Sequence, residues 1–178
     1  MVFSLKSTLL GYAAFKLKKK LTSHRTAINK LDYNSNRQLV LSQSSEACIL
    51  WNAVTLTKEK TLNCSTSFFA DSVFTFNGQY LINLFDDANV FFWCLDTFEH
   101  TETFVRDVEG KCVLAASRNQ FLAVADDKKL FMTNFVYDKI NFQEVDSNRL
   151  PGTIQQATFF DTLLLVRASN GLYAGPVS

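Results

Sequence analysis

The hydrophobic pattern of this chain is clearest between Gln79 and Asp96, where the apolar runs Tyr80–Phe85 and Val90–Leu95 flank a largely polar quartet at positions 86–89. Aromatic and β-branched residues dominate both runs, and the acids and the Asn of the quartet favour a turn. The stretch therefore predicts a β-hairpin. Trp93 stands near the end of its second strand.

The same pattern occurs three more times. Trp51, Trp93, Thr133 and Gly175 form one column of the repeat, with 40 to 42 residues between successive members. Twelve positions before these residues stand Leu39, Leu81, Phe121 and Leu163, and eleven positions before them stand Val40, Ile82, Leu122 and Leu164. Three positions before the members of the first column stand Cys48, Val90, Leu130 and Leu172, and two positions before them stand Ile49, Phe91, Phe131 and Tyr173. Four apolar columns at this period predict a repeat architecture.

Each hairpin has further strand-like runs on either side. The runs before the hairpins are Ala27–Tyr33, Ser72–Phe76, Lys111–Ala116 and Ile154–Phe160, and the more polar runs after them are Thr57–Leu62, Thr101–Arg106 and Lys139–Val145. Four antiparallel strands with apolar inner members and a solvated outer edge predict the blade of a β-propeller. The predicted blades are 24–64, 67–106, 111–146 and 153–178, within a region of 23–178.

At these residues the sequence resembles the WD-repeat family of β-propellers. Ser23-His24 stands where the family has Gly-His, Asp87 and Asp127 fall on the hairpin Asp, and Trp51 and Trp93 fall on the Trp of Trp-Asp. Asn52 and Cys94 replace the Asp after each Trp, and two units have no Trp. The resemblance implies an all-β, WD-repeat-type propeller of about four blades, a partial propeller or half-ring. It implies that the structural motif residues are His24, Trp51, Asp87, Trp93 and Asp127.

Residues 1–22 form a basic segment that contains Lys16 and Lys18–Lys20 and no acid. The alternation from Phe15 to Leu21 predicts an outer blade strand, in which exposed lysines would discourage pairing with other sheets. Two alternatives are a targeting helix of the mitochondrial type and a patch for membrane surfaces or nuclear import.

The number of blades leaves three explanations, because WD-repeat rings typically contain more than four. The chain is a fragment of a longer propeller, an open half that pairs with another chain, or a small closed ring. An open half exposes an apolar blade face at each end, which favours completion by blades from elsewhere. We expect a partial propeller whose missing blades lie on another polypeptide or on a part of this one outside the sequence.

Composition narrows the class of partner and the compartment. The net charge is +1, so no strong basic field favours nucleic acid, and no apolar run approaches the roughly 20 residues of a membrane span. The four cysteines show no CxxC spacing, which predicts free thiols in an intracellular, cytoplasmic compartment. The segment 93–98 is similar to repeats in large ciliary and centrosomal WD proteins, so cilia and centrosomes are further predicted locations. The nucleus is another, because the basic N-terminal segment has nuclear import as one alternative.

No pattern in the sequence predicts catalysis. His24 and His100 have no second ligand at metal-binding spacing, and His100 is predicted in a polar turn. The acid pairs Asp86-Asp87 and Asp126-Asp127 occupy the same hairpin position, where Asp commonly bonds to local backbone N–H groups. We therefore expect no catalytic residue, no metal and no cofactor, and do not expect an enzyme.

The predicted function is a non-enzymatic scaffold segment of a multiprotein complex. Its partners are expected to be other proteins, including a chain that supplies the remaining blades. The expected partner-binding loop residues are Asp86, Arg118, Asp126, Lys128, Lys129 and Arg167. The alternative is a subunit of a nucleolar or organellar RNA–protein complex, in which the basic N-terminal segment contacts RNA.

Overall fold

The computed structural model describes residues 2–7, 13–63, 67–75, 78–105, 113–116, 121–125, 129–134, 142–145, 153–160 and 163–176. Within these ranges all regular structure is β, in strands of three to seven residues. The predicted all-β class is confirmed.

The strands form five sheets that follow one another along the chain. The first sheet contains β1 (Val2–Ser7) and β2 (Ala13–Lys19). Blade one contains β3 (Ile28–Asn34), β4 (Leu39–Ser44), β5 (Cys48–Asn52) and β6 (Lys58–Leu62). Blade two contains β7 (Phe69–Phe74), β8 (Tyr80–Phe85), β9 (Asn89–Cys94) and β10 (His100–Phe104). Blade three contains β11 (Val113–Ala116), β12 (Phe121–Ala125), β13 (Leu130–Asn134) and β14 (Gln143–Val145), and blade four contains β15 (Ile154–Phe160), β16 (Leu163–Ala168) and β17 (Gly171–Pro176).

Every described blade pairs its strands antiparallel and in chain order. Residues directly opposite each other in such a pair lie on the same side of the sheet. We call the side toward the next blade along the chain the front face and the side toward the preceding blade the back face. In blade one, for example, Leu41 and Leu50 are opposite each other and lie on the front face.

The hydrophobic core lies between successive blades. Leu41 and Leu50 on the front face of blade one pack with Leu81 and Trp93 on the back face of blade two. The next cluster contains Ile82, Leu84, Val90 and Phe92 from blade two with Leu114 and Phe131 from blade three. The third contains Ala123 and Leu130 from blade three with Leu164 and Val166 from blade four. Each junction therefore joins a front face to a back face.

The hairpin turn of blade two is one residue longer than a simple 42-residue repeat allows. Trp93 lies opposite Leu81, whereas Trp51 lies opposite Val40. Ala88 adopts a φ of 64° in this turn, which accommodates the additional residue. The prediction that Val40 and Ile82 share a column is therefore wrong by one residue, and Val40 corresponds to Leu81.

The N-terminal segment contains two strands where the sequence predicts one. Residues Val2–Ser7 pair antiparallel with Ala13–Lys19, and the Lys19 amine donates a hydrogen bond to the Leu56 carbonyl oxygen of blade one at 2.8 Å. The side chains of Lys18, Lys19 and Lys20 are exposed. The segment thus reaches the outer part of blade one.

Candidate functional site

A chain of hydrogen bonds joins His24 to Trp51 in blade one. Trp51 Nε1 donates to Ser42 Oγ at 2.7 Å, and Ser42 Oγ lies 2.7 Å from His24 Nε2. His24 Nδ1 lies 3.2 Å from Ser44 Oγ, whose hydroxyl lies within reach of the Ala47 carbonyl at 3.3 Å. Neutral imidazole with the proton on Nδ1 satisfies every donor in this chain. Burial lowers the pKa of His24, an effect that a hydrogen bond involving Ser42 partly offsets.

Trp93 occupies the matching position of blade two but has a different environment. The centroid of its ring lies 4.4 Å from that of His100. The His100 ring also stacks on Phe91, with 4.7 Å between the centroids and an interplanar angle of 13°. The indole Nε1 is buried, and no hydrogen-bond partner for it lies within the described residues. His100 is exposed, as expected, but it begins β10 directly opposite Trp93 and does not lie in a turn.

The acid pair of the blade two hairpin holds the link that enters this blade. Asp86 Oδ1 accepts a hydrogen bond from the backbone N–H of Phe68 at 3.0 Å, and Asp87 bonds to the Ser67 hydroxyl. Asp87 also accepts from the Asn89 backbone at 3.1 Å and the Asn89 amide at 2.9 Å. Burial raises the pKa of Asp87, but the hydrogen bonds from Ser67 and Asn89 outweigh it and hold the pKa below its ordinary value.

The residue after each tryptophan supports the next turn. Asn52 Oδ1 accepts hydrogen bonds from the N–H groups of Val54 and Thr55 at 3.0 and 2.9 Å. In blade two the N–H groups of Thr97 and Asp96 donate to Cys94 and lower the pKa of its thiol. Each of these two turns also contains a residue with positive φ, which is Leu56 (57°) in blade one and Phe98 (58°) in blade two.

Acidic residues on the first strands tie neighbouring blades together. Lys30 Nζ of blade one pairs with Asp71 Oδ1 of blade two at 2.5 Å, and Asp71 Oδ2 accepts from the Leu114 N–H of blade three at 2.8 Å. Asp32 Oδ2 likewise accepts from the Phe74 N–H at 3.1 Å. These residues are not among the predicted site residues. Their signal is a charged residue inside a predicted first strand.

Three of the predicted partner-binding residues lie within the described ranges. Asp86 is exposed, and Arg167 is exposed on β16, on the front face of blade four. Lys129 is half-buried, and its amine lies 3.8 Å from Glu144 Oε2 of β14. The other three residues, Arg118, Asp126 and Lys128, and the motif residue Asp127 lie outside the described residues.

The turns after the second strands and the links after the fourth strands lie on one edge of the stack, which we call the loop edge. They share this edge because the second and fourth strands of an antiparallel blade run in the same direction. Phe68, in the link between blades one and two, is 57% exposed at this edge beside Asp86. Phe68 is not among the predicted partner-binding residues, and its only signal in the sequence is an aromatic residue in a link.

Other chemistry in the described residues is structural. Burial raises the pKa of the Cys48 thiol to about 12, against hydrogen bonds with Asn83 and Ser72 that lower it. The described residues contain no group of three His, Cys, Asp or Glu side chains placed to hold a metal ion. None of the secondary structure assigned in those ranges is a helix long and apolar enough to cross a bilayer.

Comparison with known proteins identifies the fold from structure alone. No family model and no curated protein matches the sequence. The structure matches the WD40 repeats of RRP9 with a TM-score of 0.73 and 12% identity over 83% of this chain. It matches U3-55K with a TM-score of 0.70 and 11% identity over 86%, and the computationally designed Ika4 protein with a TM-score of 0.71 and 16% identity over 89%.

The matched regions cover 47% of the RRP9 chain, 53% of the U3-55K chain and 96% of the Ika4 chain. This chain therefore spans about half the length of the two WD40 proteins. The predicted architecture is confirmed: the chain is a partial propeller built from blades of the WD40-repeat type.

Proposed function

We propose that this chain is a non-enzymatic protein-interaction scaffold that contributes propeller blades to a multiprotein complex. The observation that carries the proposal is the anchored loop edge between blades one and two. Asp86 and Asp87 hold the hairpin turn against Ser67 and Phe68, so this surface is formed before a partner arrives. A preformed surface loses less conformational entropy on binding than a mobile one.

The chemistry of this edge suits a protein partner. Phe68 offers an exposed aromatic ring, and the exposed Asp86 carboxylate beside it supplies charge. Aromatic anchors with a charged rim are typical of protein interfaces, where the ring contributes affinity and the charge selects the partner. We place the first partner contact at Phe68 and Asp86.

We also propose a cytoplasmic location and a partner that supplies further blades. Free thiols at Cys48 and Cys94 support a reducing compartment. The match to only about half of each WD40 chain supports completion by additional blades.

Affinity capture with the full chain tests the scaffold proposal. We expect a defined set of proteins on the wild type and at least a tenfold loss of it on Phe68→Ala. The matched control is Val54→Ala, because Val54 is similarly exposed at 67% but lies in a turn on the opposite edge. Both variants should keep the wild-type unfolding midpoint. Equal retention by Phe68→Ala and the wild type would contradict a partner site at this edge.

The second candidate function is RNA binding through the N-terminal lysines, which is favoured by the exposure of Lys18, Lys19 and Lys20. Phosphate contacts release counterions, so affinity for single-stranded RNA would fall steeply with salt. Ribonuclease treatment of the captured material separates the two functions. Partners that survive ribonuclease support the protein scaffold, and partners that are lost with the RNA support the alternative.

A further inference from the structure

Three buried polar atoms of blades one and two have no hydrogen-bond partner in the described residues. They are Gln43 Oε1, Asn83 Oδ1 and Trp93 Nε1. Gln43 and Asn83 are 0% exposed, and Trp93 is 8% exposed. Buried polar groups are nearly always hydrogen-bonded, either to protein or to an ordered water molecule, because an unpaired group has lost its bonds to solvent without replacement. These three atoms therefore call for a ligand.

The two amides face each other across the junction between blades one and two. Gln43 lies opposite Cys48 on the front face of blade one. Asn83 lies two positions after Leu81 on the same strand, so both lie on the back face of blade two. Cys48 Sγ is 3.7 Å from Asn83 Nδ2, which places the two amides on either side of this thiol.

The register of blade two brings the Trp93 indole to the same place. Trp51 lies opposite Val40, and its Nε1 reaches the Oγ of Ser42, two positions further along the second strand, at 2.7 Å. Trp93 lies opposite Leu81, and the residue two positions further along is Asn83. The same register thus directs the Trp93 N–H toward the Asn83 side chain.

The hydrogen bonds of the two amide nitrogens determine which atoms are left. Asn83 Nδ2 donates to Ser72 Oγ at 2.5 Å, and Gln43 Nε2 donates to Asn29 Oδ1 at 3.3 Å. Both nitrogens are therefore satisfied, and the unpaired set consists of one N–H donor and two amide oxygens. The ligand must accept one hydrogen bond and donate two.

We propose that a single water molecule is bound at this junction, where it accepts from Trp93 Nε1 and donates to Asn83 Oδ1 and Gln43 Oε1. Buried water molecules typically make about three hydrogen bonds to polar groups that would otherwise be unpaired. A metal cation does not fit, because it cannot accept the indole proton. An anion does not fit either, because it cannot donate to the two amide oxygens.

The water takes the part in blade two that the Ser42 hydroxyl has in blade one. Ser42 accepts from Trp51 and lies within hydrogen-bond distance of His24, so that chain stays on the back face of blade one. The water instead connects two blades, through Gln43 on one side and Asn83 on the other. Holding a water molecule costs entropy, so its bond to the indole adds less net stability than the direct bond of Trp51. The site is internal and does not depend on partner binding at the loop edge.

Nuclear magnetic resonance of the full chain, isotopically labelled at nitrogen, tests for this water. The sequence contains two tryptophans, so the indole N–H groups give two signals. We expect the Trp93 N–H to show a nuclear Overhauser cross-peak to water, with the sign of a long-lived bound molecule. The Trp51 signal is the internal reference, because its N–H donates to Ser42 on the other face of blade one.

A pair of substitutions distinguishes the water from other sources of the cross-peak. Gln43→Met removes one of the three partners at nearly constant side-chain volume, and it should lower the Trp93 cross-peak severalfold. Asn29→Ala is the matched control, because it removes the partner of the Gln43 nitrogen and none of the partners of the water. This variant should keep the wild-type cross-peak. The Trp51 signal should be the same in both variants and the wild type.

A crystal structure of the wild type is the second measurement and requires no substitution. We expect one density peak within about 2.5–3.2 Å of Trp93 Nε1, Asn83 Oδ1 and Gln43 Oε1. A direct bond from the indole to either amide oxygen would overturn the inference, as would a peak that contacts only one of the three atoms. The absence of a water cross-peak at Trp93 would also overturn it, and so would an equal cross-peak in Gln43→Met and the wild type.

Discussion

Trp51 and Trp93 hold the same place in neighbouring blades through different interactions. Trp51 is the first donor of a hydrogen-bond chain that runs through Ser42 to His24. Trp93 packs against His100, whose ring lies between those of Trp93 and Phe91, and the Trp93 N–H is buried without a partner in the described residues. Both rings are buried to a similar extent.

The difference shows that the two blades share a buried tryptophan at this position but do not share its hydrogen bond. Asn83 of blade two occupies the column of Ser42, and its amide nitrogen bonds to Ser72 and lies 3.7 Å from Cys48 Sγ. The hydroxyl that receives the Trp51 N–H is therefore replaced by an amide whose nitrogen is bonded elsewhere and whose Oδ1, like Trp93 Nε1, is buried without a hydrogen-bond partner in the described residues. Aromatic pairs contribute about 0.5–1.5 kcal/mol beyond area burial, a magnitude similar to the net contribution of one hydrogen bond.

The largest expected effect is the loss of either indole. Trp51→Ala and Trp93→Ala should each lower the free energy of unfolding by about 3–5 kcal/mol, because each removes a large buried side chain. Denaturant unfolding of both variants measures this. A loss below about 1 kcal/mol at Trp93 would mean that the ring is not part of the core between blades one and two.

A smaller substitution separates the two environments. Trp51→Phe removes the hydrogen bond to Ser42 along with part of the ring, whereas Trp93→Phe removes an N–H that has no described partner. A hydrogen bond of this kind contributes about 0.5–1.5 kcal/mol, so Trp51→Phe should cost about 1 kcal/mol more than Trp93→Phe. The two variants serve as controls for each other, since the same atoms are deleted. Equal losses would show that the hydrogen-bond chain of blade one adds no net stability.

Sequence reasoning predicted the strands well because their apolar runs are long and regularly spaced. The run Tyr80–Phe85 coincides with β8, and Ile154–Phe160 coincides with β15. The role of Asp87 in its local turn could also be predicted from the sequence, because Asp commonly accepts a hydrogen bond from the backbone N–H two residues later, as it does from Asn89.

What the sequence could not predict depends on contacts between units. The Lys30–Asp71 ion pair joins residues 41 positions apart, and charge in a strand gives no indication of which neighbour it meets. The register shift in blade two depends on the positive φ of Ala88, a conformation for which alanine has no preference. The exposure of Leu172 could not be predicted from its column, whose other members are buried, because it depends on what packs against blade four.

The smallest expected effect is a pH dependence that belongs to blade one. Burial lowers the pKa of His24 from 6.5, so below about pH 6.5 the unfolded chain takes up this proton more readily than the folded chain. Stability that is fully present above that pH is therefore lost as the pH falls through the folded pKa. His24→Gln carries no proton in this range, and its amide can still bond to Ser42.

We expect the denaturant midpoint of the wild type to fall more than that of His24→Gln between about pH 7.5 and pH 5.5. His100 is present in both proteins, so its contribution cancels in the comparison. Identical pH profiles would show that His24 is accommodated equally well in either protonation state. In that case the order of donors from Trp51 through Ser42 to a neutral imidazole would be wrong, because a protonated His24 leaves Nε2 unable to accept the Ser42 proton.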